Sequence, residues 1–336
     1  MKALVCTTPR QFDYINTEMP VAAEGETLLK IERIGICGTD LHAFEGTQPY
    51  FNYPRILGHE LAATIVQTKA VGFTAGDKVT MIPYMHCGNC IACKSGKYNC
   101  CVNMRVFGVH IDGGMREFVA VPDHALIKSE GLSLDELALI EPLSIGAHAV
   151  KRAAVTKGEF VLIIGAGPIG LGIAQFAKIA GAQVIVVDVN DDRLQFCTTN
   201  VGIEHAINPL KQDVMVSLNQ ITSNNMPTVV IDATGNLDAI NNAFQYLAHG
   251  GRYVLVGLQK GNISFSHPEF HKREATLMSS RNADVSDFMH VMDCIKNGLV
   301  QPANYITHKV TFSEVATQFE TWLDPNSKVV KAMVVF

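Results

Sequence analysis

A chain of 336 residues, 48% hydrophobic and 18% charged, carries enough apolar surface for two hydrophobic cores. Its formal net charge of −5, with no block of like charges, leaves no electrostatic footprint for nucleic acid. The first apolar run is too short for a secretory leader and no stretch approaches the ~20 residues of a membrane span, so a cytoplasmic chain is expected.

Residues 1–140 read as β-rich. The short apolar runs Leu28–Ile34, Ala62–Val66, Lys78–Ile82 and Glu117–Val121 are separated by Gly, Pro and Asp, as strands between turns would be. From about Pro142 the texture changes. A helix is expected over Leu143–Val155, a strand over Phe160–Ile164, a helix over Ile169–Ala180 and a strand over Gln183–Val187. Asn190 caps a helix at 191–200, and Val229–Asp232 and Tyr253–Val256 are buried-strand candidates with a helix at 237–247 between them. This alternation implies an α/β unit whose parallel sheet is covered by helices on both faces. Beyond it come a helix at about 285–297, a turn at Asn297-Gly298, a helix at 313–322 and a strand at Val329–Phe336.

Three groups of residues carry chemistry. Gly165-Ala-Gly167-Pro168-Ile169-Gly170 follows one expected strand and opens the next helix. There the first glycine allows a tight turn, the second lets a pyrophosphate approach the helix N-terminus, and the third lets helix and strand pack closely. Asp188 ends the following strand, where a carboxylate accepts hydrogen bonds from an adenosine ribose and repels a 2′-phosphate, predicting NAD over NADP. Arg193 is placed to stack near the adenine, and Gly257, just after the strand at Tyr253–Val256, is a further cofactor-binding candidate.

Five of the nine cysteines crowd into one short segment, and Cys87-x2-Cys90-x2-Cys93-x7-Cys101 supplies four thiolates to a single ion. A closed sulfur shell is the structural preference of zinc. Iron–sulfur clusters also take four cysteines, although the usual ferredoxin spacings differ, and Cys100 is the rival to Cys101 as fourth ligand. A third set comprises Cys37 in Gly35-Ile-Cys-Gly-Thr-Asp-Leu-His42, the pair His59-Glu60, and Glu141 before Pro142. Three protein ligands of these types leave zinc an open position, which is the catalytic arrangement.

Taken together, ICGTDLH, LGHE, the four-cysteine lobe, IEPLSIGAHA, GAGPIG and the acid at 188 resemble the zinc-containing medium-chain dehydrogenase/reductase family from end to end. The resemblance implies a β-rich GroES-like catalytic domain over 1–143 and 281–336, with a zinc-binding lobe at about 84–103. It implies a Rossmann-type NAD-binding domain over 144–280, and two zinc ions per chain. In that family pattern Cys37, His59 and Glu60 match the catalytic zinc ligands of the polyol branch, with Glu141 near the metal directly or through water. Which glutamate ligates at rest is left open. Thr39 and His42 match the proton relay, and Asp40 matches the carboxylate that orients the zinc-binding histidine.

RILGHE, VFGVHIDGG, HPEFHKRE and SSRNA further resemble the sugar-acid branch that includes L-galactonate and L-gulonate 5-dehydrogenases. The implied substrate is a sugar acid or polyol and the implied assembly a homodimer or homotetramer. His110, Arg281 and Asn282, followed by Lys272 and Arg273, are the candidates for a substrate carboxylate. Sorbitol- or threonine-type dehydrogenases, and an NAD(H)-binding regulator without turnover, are the competing readings.

Overall fold

The computed structural model describes residues 1–49 and 51–336. The chain forms two compact units, Met1–Glu141 with Asp284–Phe336, and Pro142–Ala283. The division falls inside one helix, Leu134–Arg152. That helix starts well before the expected Leu143, because Ser133 and Glu136 form a reciprocal cap. The Ser133 N–H donates to Glu136 Oε2 (2.7 Å) and the Glu136 N–H to Ser133 Oγ (3.3 Å). Pro142 lacks one helix donor but does not end the helix.

Pro142–Ala283 is built on six parallel strands. Their spatial order is His205–Ile207, Gln183–Val187, Phe160–Ile164, Val229–Asp232, Arg252–Leu255 and Thr276–Ser279. The central segments VLII, VIVV and VVID are buried throughout, the composition required of strands covered on both faces. Chain order reverses between Phe160–Ile164 and Val229–Asp232, and such a reversal opens a crevice at the carboxyl ends of the strands. The glycine motif sits there. Helix Pro168–Ile179 leaves the central strand with Gly167 as N-cap and buries Leu171, Ile173, Phe176 and Ala177.

The other unit is a mostly antiparallel sheet ordered Ile306–Thr311, Lys331–Val335, Glu26–Gly35, Glu60–Gln67, Lys78–Met81 and Leu126–Lys128, with Phe118–Pro122 also paired to Glu26–Gly35. A hairpin, Lys2–Thr8 with Gln11–Asn16, forms a separate two-stranded sheet of the same unit. Its core gathers Leu29, Ile31, Ile34, Leu61, Ile65, Phe319 and Trp322, with Phe12 stacked on Phe44. The register sets Gly35 opposite both Glu60 and Met333, which brings three distant segments together at one end of the sheet. Among the described residues no helix is long and apolar enough to cross a membrane.

Candidate metal centre and dinucleotide site

Asp40 organises the first cluster. Its Oδ2 accepts the Cys37 N–H (3.0 Å), turning the chain into helix Gly38–Glu45, and its Oδ1 accepts the Gly58 N–H (3.1 Å). Cys37 is thereby tied to the segment that carries His59 and Glu60. Ligand atoms of Cys37, His59 and Glu60 all lie within 4.8 Å of one another. His59 is buried, and its Nδ1 lies 3.6 Å from Asp40 Oδ1 without a hydrogen-bond partner. Burial works against charge on this imidazole, but Asp40 and Cys37 outweigh it and push its pKa well up. A thiol, an imidazole and a carboxylate crowded together, the last two buried, fit a cation such as zinc.

Lys331 was not among the residues singled out from sequence. Its Nζ donates to Glu60 Oε1 (2.7 Å) and Oε2 (2.8 Å) and to the Ile36 carbonyl (3.0 Å). Both partners of the pair are buried, the Glu60 side chain at 0% exposure and that of Lys331 at 3%. Gly35 makes room for this carboxylate, since a Cβ there would lie 2.1 Å from Glu60 Oε2. Glu141 does not join the cluster of three. Its Oε1 accepts the hydroxyl proton of Tyr84, which is buried on the short strand Tyr84–Met85. Burial, with Glu60 nearby, pushes the Glu141 carboxyl up to about 7.

The second cluster is Cys87, Cys90, Cys93 and Cys101. Sγ–Sγ separations are 3.4 Å for Cys90–Cys93, 3.5 Å for Cys87–Cys101 and 3.9 Å for Cys90–Cys101. Zinc with bonds of ~2.3 Å sets tetrahedral sulfur edges near ~3.8 Å, whereas a disulfide needs ~2.05 Å. All four thiols are unbridged. Backbone N–H groups of Cys93 and Val102 bring Cys90 down to about 6, while burial and neighbouring thiols push Cys93 up to about 12. Such a cage fits one dication. Cys100 is exposed and lies outside it.

In the other unit, Gly165 has a φ of +99°, and a Cβ on Gly170 would fall 1.8 Å from the Gly165 carbonyl oxygen. Around Gly167 a Cβ would meet nothing within 4 Å, so the first turn of helix Pro168–Ile179 has open space beside its N–H groups. Pro168 and Ile169 are half-buried on that turn. Asp188 is buried and already accepts the Ala166 N–H on Oδ2 (2.6 Å) and the Asn190 N–H on Oδ1 (2.8 Å). It therefore braces the glycine loop, and each oxygen keeps a lone pair for a ribose hydroxyl. Arg193 is exposed, and Gly257 packs on the backbone of Gly235.

The remaining candidates are placed as follows. Thr39 and His42 share helix Gly38–Glu45 one turn apart, with the His42 side chain 63% exposed and its Nδ1 3.3 Å from Thr47 Oγ1 and 3.4 Å from Glu45 Oε2. His110 Nδ1 accepts the Val106 N–H (2.9 Å), so the proton of its neutral ring sits on Nε2. Arg281 is exposed, and Asn282 takes a φ of +54°. Arg273 is held by Glu269 (2.7 Å) and the Leu247 carbonyl, and Lys272 lies 3.6 Å from Glu269, which commits both cations locally.

A mixed-donor cluster that fits a metal in a β-rich unit and a glycine turn that fits a phosphate in a doubly wound unit point to an oxidoreductase of the zinc-assisted alcohol dehydrogenase class. Comparison with known proteins agrees. The family described as "Alcohol dehydrogenase GroES-like domain" matches residues 23–131, and that described as "Zinc-binding dehydrogenase" matches 168–297. L-galactonate-5-dehydrogenase of Escherichia coli K12 is 42% identical over 100% of this chain and 99% of its own length. The 2-dehydro-3-deoxy-L-galactonate 5-dehydrogenase of Pseudoalteromonas atlantica is 30% identical over 97% of this chain and 96% of its own. The crystal structure of the alcohol dehydrogenase rspB of Escherichia coli CFT073, complexed with NADH, superposes with a TM-score of 0.93 at 31% identity, covering 100% of this chain and 99% of that one. The chain belongs to the zinc-binding alcohol dehydrogenase family.

Proposed function

We propose that the protein oxidises a secondary alcohol of a sugar acid, in an L-galactonate or L-gulonate 5-dehydrogenase type of reaction, with NAD as hydride acceptor. The observation that carries this reading is the convergence of Cys37, His59 and Glu60, in a chain 42% identical over its whole length to an L-galactonate-5-dehydrogenase. Cys37, His59 and Glu60 would hold a catalytic zinc, whose contribution is to acidify the substrate hydroxyl. Cys87, Cys90, Cys93 and Cys101 would hold a second zinc that folds their loop. Gly165, Gly167, Pro168, Ile169 and Gly170 would hold the pyrophosphate of NAD, and Asp188 its ribose.

The chain's own residues then move the proton. Thr39 would accept it from the substrate hydroxyl while passing its own hydroxyl proton towards the cofactor ribose, and His42, one turn further along the same helix, would finish the relay to solvent through its exposed ring. Asp40 keeps the His59 ring oriented throughout. His110, with its proton on Nε2, can donate to a substrate carboxylate, and Arg281 and Asn282 remain candidates for the same group.

The test is an absorbance assay of NAD reduction by the zinc-loaded chain on L-galactonate, L-gulonate, sorbitol and L-threonine. Turnover should be at least about tenfold more efficient on the aldonates than on sorbitol, the worth of one well-placed charged hydrogen bond. Equal efficiency on the neutral polyol would overturn the sugar-acid assignment, and NAD binding without turnover on any of them would favour a regulator.

A further inference from the structure

The β-rich unit buries two glutamates near one thiol and one imidazole, and different donors hold them. Glu60 gives both oxygens to Lys331, whereas Glu141 gives Oε1 to the Tyr84 hydroxyl. Glu60 and Glu141 are 0% and 4% exposed, so neither faces bulk water. In donor chemistry Glu141 is as able as Glu60 to bind a cation there. Tyr84 is the feature that separates them. It reaches in from strand Tyr84–Met85, which pairs with Arg105–Val106, and the Phe107 N–H donates to the Pro83 carbonyl (2.9 Å) to extend the clamp. These two strands bracket the four-cysteine lobe.

We propose that Tyr84 is a positioning residue of the metal centre. Its hydroxyl holds Glu141 beside the Cys37–His59–Glu60 cluster but outside the ligand set, and the cysteine lobe fixes the strand from which it does so. The inference rests on the metal-centre reading above and names a device within it. Its physical consequence is electrostatic. A dication bound by one thiolate and by Glu60, itself balanced by Lys331, keeps a positive surplus and an open position. A ligating Glu141 would cancel that surplus and add a fifth ligand beside the water or substrate at that position.

Cobalt(II) placed in the cluster of the full-length chain, with zinc kept in the lobe, reads this directly, because four-coordinate cobalt absorbs several-fold more strongly in the visible than five- or six-coordinate cobalt. Tyr84→Phe should lose visible absorptivity several-fold and lower kcat/KM about 10- to 100-fold, the usual effect of removing an outer partner of a metal site. The double variant Tyr84→Phe/Glu141→Gln should regain the wild-type spectrum, which a merely structural role of Tyr84 would not produce. A wild-type spectrum in Tyr84→Phe, or no recovery in the double variant, would overturn the proposal. Should Tyr84→Phe fail to fold, Glu141→Gln alone decides: a four-coordinate wild-type spectrum supports the proposal and an altered one defeats it. A wild-type chain that takes cobalt only into the lobe would instead bring down the metal-centre reading itself.

Discussion

Lys331 shows how one side chain escapes a linear reading. A single lysine inside the expected strand Val329–Phe336 gives no sign of its partner in the sequence. Only the sheet order, with Lys331–Val335 beside Glu26–Gly35 and that strand beside Glu60–Gln67, brings its ammonium to Glu60. Burial alone would lower its pKa, but Glu60 and Cys37 raise it, so the lysine stays charged. Removing one member of a buried pair strands the other. Lys331→Met should therefore destabilise the metal-free chain by about 3–5 kcal/mol, measured by urea unfolding. Zinc should restore part of that loss, because a cation then neutralises Glu60. An unchanged urea midpoint would show that the pair contributes nothing to stability.

Among elements, the parallel sheet was legible and the short pieces were not. Phe160–Ile164, Gln183–Val187 and Val229–Asp232 form with the bounds expected of them, because uninterrupted Val/Ile runs between turn residues leave little choice. Strand Ile306–Thr311 is mixed polar and half-exposed, Thr276–Ser279 is an exposed edge, and the short helices Gly38–Glu45, Val214–Ile221 and His267–Lys272 carry too few turns to declare a period. In the candidate site the cysteine spacings and the glycine motif were readable because their partners are close in sequence. Tyr84 and Lys331 were not, since each meets its glutamate only through tertiary pairing.

One cross-strand tie lends itself to a pH test. Glu159 accepts from Arg252 (2.7 and 2.9 Å), from Thr228 Oγ1 (2.9 Å) and from the Thr156 N–H (2.8 Å). Burial raises its pKa, but these donors together outweigh it and hold the carboxyl below its ordinary 4.5. A depressed folded-state pKa contributes stability that is full above about 4.5 and fades as pH falls through the folded value. Glu159→Gln should thus cost about 1–3 kcal/mol at neutral pH, a deficit that shrinks as the buffer is taken below pH ~4. A deficit constant from pH ~7 to ~3 would contradict the ionic account.

At the scale of the whole molecule, two separate cores each support one of the candidate sites. Calorimetry of the zinc-loaded chain should resolve two transitions. NAD at about 100 times its Kd should stabilise one of them by ~2.7 kcal/mol, and a chelator should lower the other. A single transition moved alike by both reagents would show that the units melt as one.

The strand order of the β-rich unit also bears on biosynthesis. Pro142–Ala283 is contiguous and can complete its sheet as soon as it clears the ribosome, whereas the unit around it waits for Lys331–Val335 to slot beside Glu26–Gly35. Until residue 331 has been translated, Glu60 has no ammonium opposite it, so the buried pair closes only after the parallel-sheet unit has been made.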